Sequence, residues 1–304
     1  MSVATTRSSG GRRGLGGRTV DSSSLSAFVP VLAVMPVSLL ALFVFWLPVQ
    51  ALWSISLPWF VGGYAAAGVL LFLRPVQAIV LTPLLGAHRP SVDERAAIDA
   101  AWRSVLQANG LPTKRYVLGV LPADELNAFA CGGHLVIVTS FAIATLPRDE
   151  LSGVLAHELS HHLGFHTVAL TIGHWLGAPV LLLARIGFFL HSVATAATES
   201  FARNSASFTA IGRVAAALLT AGSWVFLSGL LVTNAIANVT SRNSEFQADQ
   251  RAVDMGFGRP LASALRRFLA YEERPATWRQ RLAATHPSAR TRIARIDAHL
   301  RRVK

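Results

Sequence analysis

From Ser22 to Leu73 the chain carries no charged residue. That run is too long for one membrane-crossing helix and suits two, since each needs roughly 20 apolar residues. Pro48 and Gln50 interrupt it, with Trp46 and Trp53 nearby as interfacial anchors. The pattern predicts a helical hairpin over 26–47 and 53–73. Its apolar part far exceeds the roughly 7–15 residues of a cleaved signal segment. A third apolar run, Thr167 to Leu190, contains His174 and Arg185. Arg185 lies about 7 Å of helix from Leu190, close enough for its guanidinium to snorkel. The fourth run, Val214 to Val239, is uncharged. The competing reading of the last two is a buried hairpin in a soluble core; their length and scarcity of charge favour lipid.

Two polar regions remain, 74–166 and 240–304. Ser91-Val92-Asp93-Glu94 has the capping-box pattern and opens a helix ending near Gly110. Tyr116–Leu121 and His134–Thr139 are β-like, and the Gly132-Gly133 turn signal between them predicts a small meander. Helices are predicted from Asp149 to about His166, and over 243–255, 260–273 and 288–302. The chain is therefore mainly α, with four spans at 26–47, 53–73, 167–190 and 214–239 and a polar domain in two parts.

Composition agrees with lipid. Hydrophobic residues make up 52% of the chain and charged ones only 14%, against about 25% charged in soluble domains. The net charge of +12 would suggest nucleic acid in a soluble protein. In so apolar a chain it points instead to the anionic face of a bilayer, with no nucleic-acid partner. Residues 1–24 carry Arg7, Arg12, Arg13 and Arg18 among Gly and Ser, which predicts a disordered cytoplasmic tail. The turn near Pro48 has no charge, and 191–212 carries only Glu199 and Arg203. Four spans then place both termini and both polar parts on the cytoplasmic side. Cys131 is the only cysteine, so no intramolecular disulfide forms.

Chemistry is concentrated in His157-Glu158-Leu159-Ser160-His161. Two histidines four apart project from one helix face, so both imidazoles reach one metal ion. Glu158 follows the first ligand and stands beside the metal, where a carboxylate can take a proton from water. A catalytic zinc needs a third protein ligand and an open fourth position. His162 and His166 lie about 100° around the helix from the first pair and read as helix-end or membrane-interface residues. The best third ligand is Glu245, with Asp249 four residues on positioned to hold a ligating imidazole by hydrogen bond. Glu199 is the rival, and the predicted topology puts it across the membrane.

Taken together these residues resemble the integral-membrane zinc peptidases that include bacterial HtpX and the Ste-type CAAX prenyl proteases. The resemblance covers about 74–304. It rests on Asn127-Ala128-Phe129-Ala130, on Glu150-Leu151 leading into the His-Glu-x-x-His helix, on Ser241-Arg242 through Asp249, and on Thr285-His286-Pro287 with Arg292-Ile293. The four-span layout is similar to HtpX. The resemblance implies a gluzincin-like peptidase domain with one zinc per chain, held by His157, His161 and Glu245, with Glu158 as base. His286 would assist at the oxyanion and Arg292 would hold Asp249. Asn127, with Ala128 and Phe129, would contact substrate, and 133–139 would be the edge strand along which a peptide lies. It further implies an endopeptidase of the inner membrane acting on unfolded or damaged membrane proteins. The alternatives are processing of one precursor, as in CAAX proteases, and a non-catalytic zinc-binding scaffold. A transporter is disfavoured because the spans lack buried acidic residues.

Overall fold

The computed structural model describes residues 26–201, 206–271 and 288–302. The basic tail and His286 lie outside them. The first helix, α1 (Val29–Trp53), runs through Pro36 and Pro48 and ends where Ser54 turns left-handed, φ 54°. The predicted turn at Pro48 is thus six residues early. Proline is tolerated inside apolar helices when neighbours re-satisfy the backbone, and the break is fixed instead by Trp46 Nε1 donating to the Ile55 carbonyl at 2.8 Å.

The second apolar run forms α2 (Leu57–Leu70) and, after a 75° bend, α3 (Arg74–Leu84). At 14 residues α2 spans about 21 Å, short of the roughly 30 Å hydrocarbon layer. Only with α3 is the run long enough to cross. A reciprocal clasp docks α2: Trp175 Nε1 donates to the Tyr64 carbonyl at 3.2 Å, the Tyr64 hydroxyl donates to the Trp175 carbonyl, and the rings stack at 4.6 Å.

The helix α4 (Val92–Ala108) begins with the predicted capping box, complete in both directions between Ser91 and Glu94. Next come β1 (Val117–Leu121), β2 (Ala128–Cys131) and β3 (Leu135–Thr139). The sheet is mixed, not a meander: its order is β1-β3-β2, with β3 parallel to β1 and antiparallel to β2. The segment containing Ala128–Ala130 is a strand rather than part of a turn, and 135–139 is the central strand rather than the edge. All five residues of β3 are buried, which is why Leu-Val-Ile-Val-Thr shows no polar alternation.

Two helices, α5 (Ser140–Thr145) and α6 (Arg148–Leu163), follow the sheet. The main core joins Ile98, Trp102 and Leu106 of α4 to Leu151, Leu155 and Leu159 of α6, with Val136 and Val138 from the sheet. At Phe165 the backbone turns left-handed, φ 60°, and separates α6 from α7 (His166–Phe201). The long α8 (Ala206–Asp254), α9 (Gly258–Tyr271) and α10 (Ala289–Arg302) complete the described chain. The most apolar stretches of α7 and α8 are each only 11% buried. Phe189, Leu218 and Trp224 are more than half exposed, so these helices are not a hairpin inside a soluble core. At 49 residues, α8 is about 74 Å long and carries its apolar half and Glu245 on one rigid rod.

Candidate metal centre

Residues 157 and 161 sit one turn apart on α6, and α8 brings Glu245 against them. His157, His161 and Glu245 are the His/Cys/Asp/Glu group among the described residues whose donor atoms converge closely enough to hold a metal ion. The two Nε2 atoms are 3.2 Å apart. One carboxylate oxygen of Glu245 is 3.2 Å from His161 Nε2 and the other is 3.4 Å from His157 Nε2. Bonds of about 2.0–2.1 Å at tetrahedral angles would set the donors about 3.3–3.4 Å apart. Each separation lies close to that range, the two histidines meeting different oxygens of Glu245, and a set of two imidazoles and a carboxylate suits zinc with a fourth position left for water.

Behind the donors lies a buried network. His157 Nδ1 donates to Asp249 Oδ1 at 3.0 Å, which fixes the tautomer and leaves Nε2 with its lone pair toward the metal position. Asp249 in turn accepts both prongs of Arg292, Nε at 2.9 Å and Nη2 at 2.7 Å. The second terminal nitrogen of Arg292 lies 3.5 Å from Glu245. Burial and the Arg292 charge oppose protonation of His157, but the hydrogen bonds to Asp249 and Glu245 overcome them and its pKa is pushed up to about 9.

Glu158, itself buried, lines a recess of about 140 Å³ together with His157, Arg292, Asn127 and Ala128. The rest of its wall is apolar, from Leu126, Val154 and the α9 residues Leu261, Ala264, Leu265 and Phe268. Sequence patterning hid this wall, because an amphipathic helix turned toward a cleft reads like one turned toward a core. Asn127 is anchored through its backbone to Thr139, whose N–H donates to the Asn127 carbonyl at 3.0 Å and whose hydroxyl accepts the Asn127 N–H at 3.1 Å while donating to the Glu125 carbonyl at 2.6 Å. Phe129 departs from the group: it packs on the other side of the sheet against Leu81, Ala87, Leu135 and Ile137, so only its backbone, on the edge strand β2, is available to a ligand.

His162 is fully buried and is not an interfacial residue. Its Nε2 donates to the Leu135 carbonyl at 3.0 Å, tying α6 to the central strand, while Nδ1 accepts from Thr167 at 3.1 Å. His166 is buried as well, its Nδ1 3.5 Å from Nδ1 of His161. Glu199 stands near the far end of α7, about 50 Å along the helix from His166, too distant to be a ligand.

A helix-borne imidazole pair closed by a carboxylate from a second helix, on a scaffold of long apolar helices, is compatible with a membrane-type metallopeptidase. The profile of peptidase family M48 matches residues 93–300, and the chain belongs to that family. It is similar to proteins named protease HtpX homolog. That of Gemmatimonas aurantiaca is 28% identical over 203 residues, covering 66% of each chain. That of Acidiphilium cryptum is 29% identical over 214 residues, covering 62% of this chain and 68% of the relative. That of Acaryochloris marina is 28% identical over 250 residues, covering 74% and 76%. The match thus spans about two thirds to three quarters of these relatives' length. The fold is also similar to that of the crystal structure of S. mikatae Ste24p, with a TM-score of 0.50 and 18% identity, covering 93% of this chain and 68% of that one.

Proposed function

We propose that the chain is a zinc-dependent endopeptidase of the inner membrane, its site and both termini cytoplasmic, which hydrolyses peptide bonds in unfolded or damaged membrane proteins. The observation that carries this reading is the convergence of the His157, His161 and Glu245 donor atoms on one point, with Glu158 lining the adjoining recess. Zinc, when bound by His157, His161 and Glu245, supplies Lewis acidity toward water and toward the scissile carbonyl. The Glu158 carboxylate takes the proton from the attacking water and later delivers it to the leaving amine. Asp249 and Arg292 keep His157 in its ligating tautomer. The free edge of β2, with Asn127 before it, offers backbone partners to an extended substrate, a role that moves from the predicted 133–139 to 128–131. For His286 we retain a part at the oxyanion as a proposal from the sequence.

Processing of one particular precursor is the second reading, and the likeness of fold to Ste24p is compatible with it. A zinc-binding scaffold without activity is the third. Replacing Glu158 tests the chemistry. Glu158→Gln keeps the shape and the zinc donors but cannot accept a proton. Zinc content is expected to stay near one per chain while hydrolysis of a membrane-protein substrate falls at least about 100-fold. Activity within a few-fold of the unaltered protein would remove Glu158 from the mechanism and end this reading.

A further inference from the structure

A cavity of about 400 Å³ is separate from the recess at Glu158. It is a cleft between α1, α7 and α8. Its α7 wall extends from His166 to Leu181 and its α8 wall from Ser244 back to Leu230, about 20 Å in each case. One end reaches the metal centre: His166 lies against His161, and Ser244 precedes Glu245. The other end is well within the apolar part of both helices. We propose that this cleft receives an unwound, membrane-embedded stretch of a polypeptide substrate and leads it toward the metal centre. The proposal rests on the peptidase reading above and names the form in which the substrate arrives.

Shape favours an extended chain over an intact helix: the cleft holds about 400 Å³ over a length of about 20 Å, and a helix with side chains is about 10–12 Å wide. An extended peptide and a lipid acyl chain both fit that bore. The lining decides between them. His174 on α7 and Asn234 on α8 face the cleft, both exposed, and neither has a hydrogen-bond partner among the described residues. Against an acyl chain both would stay unsatisfied at membrane depth, a cost that apolar residues would have avoided. An unwound peptide brings N–H and C=O groups that themselves need partners in lipid. The Asn234 amide can donate and accept together. Gly173 keeps the bore open, since a Cβ there would meet nothing nearer than Val31 Cγ2 at 3.9 Å.

The test uses the full chain in phospholipid vesicles. A photo-crosslinking amino acid at Ala178, in the Glu158→Gln background, reports occupancy without turnover when a single-span reporter protein is present. Crosslinks to the reporter, mapped close to its scissile bond, are expected. Crosslinks to phospholipid alone, or none, would overturn the proposal. In the active protein, kcat/KM is compared for the reporter and for soluble unfolded casein. Gly173→Leu, which plugs the bore, is expected to lower the reporter-to-casein ratio at least tenfold, and Asn234→Leu about fivefold. Gly62→Leu, on α2 with nothing within 4 Å, leaves the ratio unchanged. An unaltered ratio in both cleft variants would likewise overturn it. Were the unaltered protein to cleave neither substrate, the peptidase reading would fail, and the crosslink would still judge the cleft on its own.

Discussion

Asp249 decides more than its single contact with His157 suggests. Its carboxylate is shared between an imidazole that must present one particular nitrogen and an arginine whose Nη2 lies 3.2 Å from both nitrogens of that same ring. Asp249→Asn keeps the shape but presents an amide to Arg292, and the choice of tautomer at His157 is lost. Zinc affinity or activity is expected to fall about 10- to 100-fold, read as zinc retained against a graded chelator and as kcat/KM on the same samples. Glu245→Ala removes a donor outright, leaving two imidazoles, and tight zinc binding should vanish; stoichiometric zinc in that variant would place the third ligand elsewhere. These residues were unequally legible. His157, Glu158 and His161 declare themselves within five positions because one helical turn sets their geometry. Glu245 stood out only as half of an acidic pair at helical spacing, a pattern found on many solvated helices. His162 looked like a helix-end residue because nothing local says that the Leu135 carbonyl will lie opposite it.

Packing of α6 against α9 holds the catalytic helix in place, and two features of the interface carry it. Gly153 lets the backbones touch: a Cβ there would stand 2.3 Å from the Leu261 nitrogen and 2.7 Å from the Pro260 carbonyl carbon. Backbone cannot swing aside as a side chain can, so Gly153→Ala forces the helices apart. A loss of about 1–3 kcal/mol is expected, visible as a lower thermal midpoint in detergent together with weaker zinc retention, because α9 also walls the recess. One turn before it, Glu150 takes a bidentate grip from Arg267, at 2.6 and 3.1 Å, and a hydrogen bond from Ser263 at 2.8 Å. The Arg267 hydrogen bond outweighs burial and holds the carboxyl below its ordinary value of 4.5. A depressed folded pKa stabilises above the unfolded pKa and ceases to do so as pH falls through the folded one. The difference in thermal midpoint between the unaltered protein and Glu150→Gln should therefore be full above about pH 5 and shrink below about pH 4. A constant difference across that range would mean that packing, not charge, is the link. At this scale the sequence was read well where a pattern is local, as in the capping box and the amphipathic helices. It was misread where pairing is distant: β2 is four residues long, and its partner strand could not be told from the residues beside it.

The whole molecule turns on how many times the chain crosses the bilayer. The apolar run before Arg74 predicted two crossings, and the second is where sequence and structure part. A count of apolar residues cannot foresee that α2 stops after 14 of them, or that α3 leaves at 75°. If α2 and α3 together cross, the chain has four spans and the basic tail shares a side with the metal centre. If they dip in and return, it has three and the tail lies opposite. Charge argues for four, because Arg7, Arg12, Arg13 and Arg18 favour the side that also holds the many arginines of α9 and α10. The measurement is labelling of intact cells with a membrane-impermeant thiol reagent, in a Cys131→Ala background with single cysteines at Ser8, Val92 and Ser200. Val92 suits the purpose at 86% exposure, and Ser200 lies near the distal end of α7. Ser200 should label from outside, whereas Ser8 and Val92 should label only after the membrane is opened. Labelling of both Ser8 and Ser200 from outside would establish three crossings and make α2 and α3 a re-entrant pair. Labelling of Val92 and Ser200 alike from one side would mean that α7 and α8 do not cross, and the cleft between them could then not draw its substrate from the bilayer.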